Sequence, residues 1–233
     1  MLQERQKSIL GAAIEDYIRT ARPVASSELA RDSGWGLSPA TIRAELLRLD
    51  ELGYLEQPHT SAGRIPTDKG YRFFVDNLTV AAGLDSEEED LLQRAFAIRD
   101  AEEFIREFTK TVARVAGAFA AAGIEDAELF YESGFSEILG EPEFSEPESA
   151  KSFGRIADLL DERMPEAAAD LDEDRERIWI GAENPWKEAR QCAMILAYWE
   201  HPAGFRGFLN IIGPRRTNYS KHKAIIRRIR SAA

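Results

Sequence analysis

The chain has 233 residues, of which 44% are hydrophobic and 30% charged, a composition typical of soluble proteins rather than disordered or fibrous ones. Its apolar runs are too short to span a bilayer, and its first residues lack the apolar stretch of an export signal, so we expect a cytoplasmic protein. The single cysteine, Cys192, excludes an intramolecular disulfide and a metal site built from cysteines alone.

The acidic residues are spread unevenly along the chain, whose net charge is −11. Residues 1–76 carry ten basic and eleven acidic side chains, whereas residues 77–213 carry 13 basic and 30 acidic ones. Residues 214–233 carry seven basic side chains and no acidic one. A nucleic-acid-binding segment in the first 76 residues would therefore have to gather its basic groups on one face and hold its acids elsewhere.

The start of the chain has the pattern of three helices. Apolar residues recur at helical spacing over residues 2–20, and a proline ends this first helix. Ser26 or Ser27 can cap a short second helix over residues 27–32, which two glycines end. The pair Ser38-Pro39 is typical of a helix N-terminus, so a third helix is predicted from there to about residue 52.

A β-hairpin is predicted after the third helix. Residues 54–57 and 64–66 have the pattern of short strands, joined by a loop of small polar residues over 59–63. This order of helices and hairpin is typical of a winged helix-turn-helix. A further helix is predicted over residues 68–80.

Two longer helices are predicted next, over residues 86–98 and 100–122. The second of them carries a broad apolar stripe, which is either part of the core or the seam of a dimer. The stripe consists of Phe104, Ile105, Phe108, Val112 and Val115.

Beyond Gly123 the pattern predicts a small α+β domain with a mainly antiparallel sheet. Strands are predicted over residues 128–132, 177–180, 193–199 and 207–212, and helices over 148–163 and 220–230. The last helix is basic and amphipathic, and it could contact DNA, a membrane surface or the acidic part of its own chain. We favour packing through its isoleucines, with its charges screening the acidic residues.

The third helix carries the residues that could read a DNA sequence. Its outer face includes Thr41, Arg43 and Ala44, and Arg43 can donate two hydrogen bonds to a guanine edge, which discriminates between bases by roughly 1–3 kcal/mol. Thr41 can reach a phosphate or a base. Ser38, at the N-terminus of the helix, and Ser26, at the start of the second helix, are expected to contact phosphates. Alternatively, Arg43 is a solvated residue paired with a nearby glutamate.

The hairpin loop supplies a second candidate contact. It comprises His59, Thr60, Ser61, Ala62 and Gly63 and is followed by Arg64. A tip of this kind can lie along a phosphate backbone or enter the minor groove, where arginine is favoured. Lys69, Arg72 and Arg48 are weaker candidates for backbone contacts.

Two stretches of this region resemble the N-terminal domain of the HrcA family of heat-inducible transcription repressors. They are Gly36-Leu37-Ser38-Pro39-Ala40-Thr41-Ile42-Arg43 and the uninterrupted run from Glu51-Leu52-Gly53-Tyr54 through His59-Thr60-Ser61-Ala62-Gly63-Arg64 to Lys69-Gly70-Tyr71-Arg72. Shorter resemblances to the second domain of the family lie at residues 131–136, 142–144, 180–184 and 213–220.

The resemblance implies a homodimeric repressor that binds an inverted-repeat operator upstream of chaperone genes. It also implies a winged helix joined to a GAF-like domain, and an active state promoted by the GroEL chaperonin. The expected class is therefore α+β, with a winged helix-turn-helix over residues 1–80, a helical hairpin over 81–123 and a reduced, truncated GAF-like domain over 124–233.

The chain departs from the family pattern in three places. Ala44 stands where members usually have asparagine, and Ala25-Ser26-Ser27 stands where they commonly have Gly-Ser-Lys. The chain is also considerably shorter than a typical member, and the missing part falls between about residues 115 and 128. In the family this part holds the start of the sheet and an inserted dimerisation domain, so the hairpin over 86–122 is the substitute candidate for dimerisation.

An enzyme is the less favoured class, because the three histidines do not lie near cysteines or carboxylates in a catalytic or metal-binding pattern. Asp170, Asp172 and Asp174 imitate the start of a calcium loop, but the required glycine and glutamate are replaced by Arg175 and Gly181. No cofactor or metal is therefore expected. The second serious class is a winged-helix module that binds a protein partner instead of an operator.

Overall fold

The computed structural model describes residues 2–32, 34–60, 62–78, 83–127, 129–169, 171 and 176–231. It divides into two compact units, Met1–Leu78 and Thr79–Ala233. Both units combine helices with antiparallel β-structure, in agreement with the predicted α+β class. Within the described ranges, every helix is too short or too polar to cross a membrane.

The first unit contains four helices and a small β-hairpin. Its elements are α1 (Glu4–Thr20), α2 (Ser26–Asp32), α3 (Pro39–Glu51), β1 (Leu55–Glu56), β2 (Ile65–Pro66) and α4 (Asp68–Asp76). The core forms where apolar residues on the inner faces of α1 and α3 meet those of α4. It includes Ile9, Leu10, Ile14, Ile42, Leu46, Leu49, Tyr71, Phe74 and Val75.

The hairpin strands are held on both sides. Leu55 of β1 pairs with Pro66 of β2 in antiparallel register. On the other side, the Val24 and Arg64 backbones exchange hydrogen bonds of 2.8 and 3.0 Å, so the segment between α1 and α2 adds a short third strand. Helix α4 ends at Asp76, earlier than predicted, because the Asn77 side chain bonds the carbonyl of Phe73 in the last turn. Part of its predicted extension lies outside the described residues.

The second unit is a five-stranded antiparallel sheet between two layers of helices. Its elements are α5 (Ser86–Phe96), α6 (Ala101–Ala116), β3 (Phe119–Ile124), β4 (Leu129–Ser133), α7 (Phe135–Leu139), α8 (Pro147–Ala157), α9 (Leu160–Ala169), β5 (Glu176–Ile180), β6 (Cys192–Glu200), β7 (Arg206–Pro214) and α10 (Tyr219–Arg230). The strand order is β4-β3-β7-β6-β5. Side chains of α5, α6 and α10 cover one face, and those of α7, α8 and α9 cover the other.

The helix predicted over residues 100–122 ends at Ala116, so this prediction is wrong at its C-terminal end. Gly117, with φ of 60°, adopts the left-handed conformation that closes the helix. The alanine-rich residues that follow form β3, an inner strand whose six residues are all buried. Small side chains fit a strand covered on both faces, and this packing outweighs the helical propensity of alanine.

The apolar stripe of α6 is part of the core of the second unit. All five of its residues are at most 3% exposed and pack against the sheet and the neighbouring helices. The alternative in which this stripe forms a dimer seam is therefore wrong, because its side chains are already covered within one chain.

The helix predicted over residues 148–163 is divided into α8 and α9 by a turn at Asp158 and Leu159. This turn lets Leu160 and Met164 reach the sheet, where both are fully buried. The basic helix α10 packs through its isoleucines as predicted. Its Lys221 lies 2.5 Å from Glu88, and Lys223 lies 3.1 Å from Glu176, so its charges screen acidic residues of the same unit.

Candidate nucleic-acid interface

The N-terminus of α3 is fixed by a side-chain cap. Ser38 is the N-cap residue, and its hydroxyl accepts a hydrogen bond of 3.1 Å from the Thr41 backbone N–H. The Ser38 and Thr41 hydroxyls are also 2.9 Å apart. Pro39 occupies the first helical turn, where its missing N–H costs nothing. The capped end of α3 is solvent-exposed at Ser38, the position predicted to contact a phosphate.

The outward side of α3 combines basic and apolar residues. Arg43, Ala44, Leu47 and Arg48 are exposed, and Thr41 is half-buried. We call these five residues the reading face. Neither arginine makes a hydrogen bond or ion pair through its side chain with the part of the chain that the structure describes. The alternative in which Arg43 pairs with a nearby glutamate is therefore not observed.

The acidic residues of α3 are mostly turned away from the reading face. Glu45 is buried and accepts hydrogen bonds from the Arg5 guanidinium, one of them 2.9 Å long, and from the Gln6 amide at 3.2 Å. Asp50 lies 2.6 Å from the Nε atom of Arg64. Only Glu51, at the end of the helix, is exposed without such a partner among the described residues. Helix α3 thus holds Glu45 and Asp50 away from its reading face.

The hairpin loop is ordered by a turn and by a side chain. The Ala62 N–H donates to the carbonyl of His59 at 3.0 Å, and the Gln57 amide donates to the Ala62 carbonyl, also at 3.0 Å. His59 and Thr60 are exposed at the tip, as predicted. Ser61 lies outside the described residues.

Gly63 and Arg64 occupy structural positions at the base of the loop. A Cβ atom on Gly63 would lie 2.3 Å from the Val24 carbonyl oxygen, so only glycine allows this close approach of two backbones. The Arg64 side chain is only 15% exposed, because it turns inward to Asp50 of α3. The prediction of Arg64 as an exposed contact at the wing tip is therefore corrected.

The remaining sequence candidates have local structural roles. Helix α2 begins at Ser26, one residue earlier than predicted, and the carbonyl of Ala25 accepts the first helical hydrogen bond, so neither serine is the cap. Ser26 is half-buried in this first turn. Lys69 donates to the Leu52 carbonyl at 2.8 Å, and Arg72 lies 3.3 Å from Asp76, whereas Arg48 remains available.

Sequence reasoning missed the contacts that orient α3. Arg5 and Glu45 are 40 residues apart, and the Val24–Arg64 bridge also spans 40 positions, so neither has a local signal. It also missed Arg22, which is exposed just before the bridged strand. Its side chain has no hydrogen bond or ion pair within the described ranges. An arginine directly before Pro23, in the turn that follows the first helix, is a sequence signal that could have identified it.

The chain is similar to known transcription repressors. Residues 79–222 match the family model described as HrcA protein C terminal domain. A heat-inducible transcription repressor HrcA from Symbiobacterium thermophilum is 49% identical over 109 residues, which are 46% of this chain and 32% of that protein. The one from Acetivibrio thermocellus is 60% identical over 87 residues, 37% of this chain and 25% of that protein. The chain thus spans about a third or less of the length of these curated relatives.

A solved structure shares the fold over nearly the whole chain. It is described as the crystal structure of a hypothetical protein, and it matches with a TM-score of 0.75 at 17% identity. The match covers 99% of this chain and 97% of that one. The curated relatives are named as repressors and not as enzymes, which confirms the prediction of a non-enzymatic family. Because the family model covers more than half of the sequence, the chain belongs to the HrcA family.

Proposed function

We propose that the chain is a cytoplasmic, sequence-specific DNA-binding repressor of heat-shock (chaperone) genes. The observation that carries this proposal is the reading face of α3. Its two arginines have no side-chain partner among the described residues and flank apolar ones, while Glu45 is bonded inside the unit. Helix, short helix, turn, third helix and hairpin occur in the order of a winged helix-turn-helix. The names of the curated relatives support the heat-shock assignment.

In this proposal α3 enters the major groove with its N-terminal turns toward the bases. Arg43 donates to the O6 and N7 atoms of a guanine, and Thr41 contacts a base or phosphate. Ala44 presents a methyl group that can contact the C5-methyl of a thymine, where an asparagine would instead bond an adenine. Ser38 and Ser26 lie at the starts of α3 and α2, where backbone N–H groups favour phosphates.

The hairpin contributes contacts that depend less on sequence. His59 and Thr60, with Ser61 beside them, lie along the phosphate backbone. Gly63 allows the hairpin to approach Val24, and Arg64 ties its base to α3 through Asp50. Arg64 thus acts by positioning the wing relative to the reading face.

The second unit is proposed to be a GAF-like regulatory domain of a homodimer. A dimer would place two copies of α3 on the two halves of an inverted repeat. The dimer and its regulation by GroEL are carried over from what the resemblance to the HrcA family implies. The apolar stripe of α6 is buried, so the dimer has to form through another surface.

The experiment is a gel-shift titration of the protein with the inverted repeat upstream of the chaperone genes in its own genome. A scrambled duplex of the same length and base composition is the control. We expect the operator to bind at least about a thousandfold more tightly, as specific sites commonly do. Equal affinity for both duplexes would exclude sequence-specific repression.

Light scattering tests the dimer in the same preparation. A mass twice that of the chain at micromolar concentration is expected. A monomer that persists when the operator is added would contradict dimeric binding.

A protein-interaction module is the second candidate, because the first unit also exposes apolar side chains. Leu47 is 50% exposed and Leu52 45%, while Trp35, in the turn before α3, is 38% exposed. Replacing Leu52, which is outside the reading face, with Ala should leave operator affinity within a few-fold if the reading face binds DNA. A module that recognises a protein would lose its partner with this substitution and show no preference for the operator.

A further inference from the structure

The outermost strip of α3 is apolar along its first turns. Ala40, Ala44 and Leu47 are all exposed, and their spacing of four and then three residues places them next to one another on one side of the helix. We call these three residues the outer row. Leu47 is 50% exposed, the largest fraction for any large apolar side chain in the part of the chain that the structure describes. Helix α3 thus presents alkyl groups to a ligand that approaches its outer side.

Polar and basic side chains flank the outer row on both sides. With 3.6 residues per turn, Arg43 lies on one side of the row, and Thr41 and Arg48 lie on the other. Both arginines are exposed, without a side-chain partner among the described residues. An apolar strip between two cationic edges matches the major groove of DNA, because phosphates run along both walls of the groove and base edges form its floor.

The apolar character of the outer row selects among the bases. The C5-methyl of thymine is the apolar group that base edges present in the major groove. Guanine, adenine and cytosine present hydrogen-bond donors and acceptors there. An alkyl side chain pressed against such an edge removes its water without replacing the hydrogen bond, which costs free energy. A row of alkyl groups therefore favours thymine and disfavours the other three bases.

We propose that Leu47 and Ala44 each cover the C5-methyl of a thymine, so that thymines near the guanine contacted by Arg43 define the operator. This inference rests on the proposed function of α3. The Cβ atoms of residues three apart on a helix are about 5–6 Å apart. Base pairs are stacked about 3.4 Å apart, so the two thymines are in adjacent base pairs or one pair further apart. The next outward residue along the row, Glu51, is acidic, so the contact with DNA ends at Leu47.

The experiment replaces each thymine of one operator half-site in turn with deoxyuridine. Deoxyuridine lacks only the C5-methyl and keeps the base pairing. Gel shifts with the full chain measure the affinity for each duplex. We expect two thymines, no more than two base-pair steps apart, at which the replacement weakens binding about fourfold, since burial of one methyl-sized group contributes roughly this factor. The other thymines should tolerate the replacement.

Variants of the outer row assign each thymine to a side chain. Leu47→Ala should bind the operator several-fold more weakly, and deoxyuridine at one of the two positions should then have no further effect. Ala44→Asn should abolish the effect at the other position, because an asparagine bonds adenine instead. Leu52→Ala is the matched control, since Leu52 is 45% exposed at the C-terminal end of the same helix and outside the outer row. It should keep both deoxyuridine effects in full.

Two results would overturn this inference and leave the repressor assignment intact. One is specific binding of an operator in which no thymine responds to deoxyuridine. The other is a Leu47→Ala variant that keeps both deoxyuridine effects. Equal affinity of the parent chain for operator and scrambled duplex is a distinguishable failure, because it would refute the proposed function and this inference with it.

Discussion

Acidic side chains have different surroundings beside the reading face and in an open cleft beside β4, which Glu132, Asp158 and Asp161 line. On α3, Glu45 is turned inward, where Arg5 and Gln6 bond it, and Asp50 is paired with Arg64. In the cleft, Glu132 is half-buried and Asp158 and Asp161 are exposed, and none of the three is ion-paired among the described residues. Asn210 lies in the same row of the sheet as Glu132, and its side-chain amide has no hydrogen-bond partner in the described part of the chain.

This difference predicts how the stability of each region changes when a polar group is removed. Beside α3 the internal bonds stabilise the unit, and the basic groups on its outer side stay available for a ligand. In the second unit the buried Asn210 amide has no hydrogen-bond partner among the described residues, which costs stability. Removing a polar group should therefore cost stability beside α3 and increase it in the sheet beneath the cleft.

The largest effect is expected for Glu45→Ala. It leaves Gln6 buried without its partner and removes two hydrogen bonds from Arg5, so the first unit should lose about 3 kcal/mol of stability. Hydrogen exchange of the α1 and α3 amides measures this loss in the full chain, separately from the second unit.

Glu51→Ala is the matched control, because Glu51 is on the same helix and exposed. Its effect should stay within about 0.5 kcal/mol. Equal effects of the two substitutions would show that the Glu45 bonds do not stabilise the unit, and the comparison would fail on this side.

The next effect concerns binding and comes from Arg43→Ala. Loss of a bidentate contact with guanine should reduce the preference for operator over scrambled DNA by about 2 kcal/mol, roughly thirtyfold. Stability should change little, since Arg43 makes no side-chain bond with the rest of the described chain. Gel shifts with both duplexes measure the ratio of affinities.

Arg64→Ala is a useful contrast, because this side chain positions the wing through Asp50. It should weaken binding to both duplexes by similar factors and also destabilise the first unit. If Arg43→Ala lowers both affinities equally, α3 contacts only the backbone and does not read the sequence.

The reading face could be predicted from the sequence because its signals are local. Ser38-Pro39 marks a helix start, the spacing of Ile42, Leu46 and Leu49 defines the inner side, and the outer side follows. Exposure of Arg43 and Ala44 was thus predicted correctly. The burial of Arg64 was not, because Asp50 is fourteen positions away and nothing local indicates the pair.

The second unit was harder to predict because its packing is determined by distant residues. The alanines of β3 have the composition of a helix, and only burial between β4 and β7 makes them a strand. The cleft beside β4 is lined by this strand and by the turn between α8 and α9. They were predicted as a strand and as part of one unbroken helix. The residues of the candidate calcium loop, Asp170, Asp172 and Asp174, lie outside the described residues.

A smaller effect of opposite sign is expected for Asn210→Val. Valine is apolar and favoured in strands, so it removes two unsatisfied polar atoms from the core without opening a large cavity. The second unit should gain about 1 kcal/mol, measured as a higher midpoint of thermal unfolding in the absence of ligand. A lower midpoint would show that the amide is needed for folding and would weaken the comparison.

The smallest effect is expected for Glu132→Gln and depends on pH. The folded state raises the pKa of this carboxyl to about 7, so between about 4.5 and 7 it binds more protons than the unfolded state does. The stability of the parent chain should therefore fall as the pH rises through this range. The glutamine variant lacks this titration, so its free energy of unfolding should equal that of the parent near pH 4.5. Above pH 7 it should exceed that of the parent by less than about 1 kcal/mol, since solvent screens a half-exposed group.

Urea unfolding at both pH values measures the difference in stability. Glu162→Gln is the control and should show no difference from the parent. A variant that is more stable than the parent at every pH would instead show that the gain comes from packing and not from the charge of Glu132.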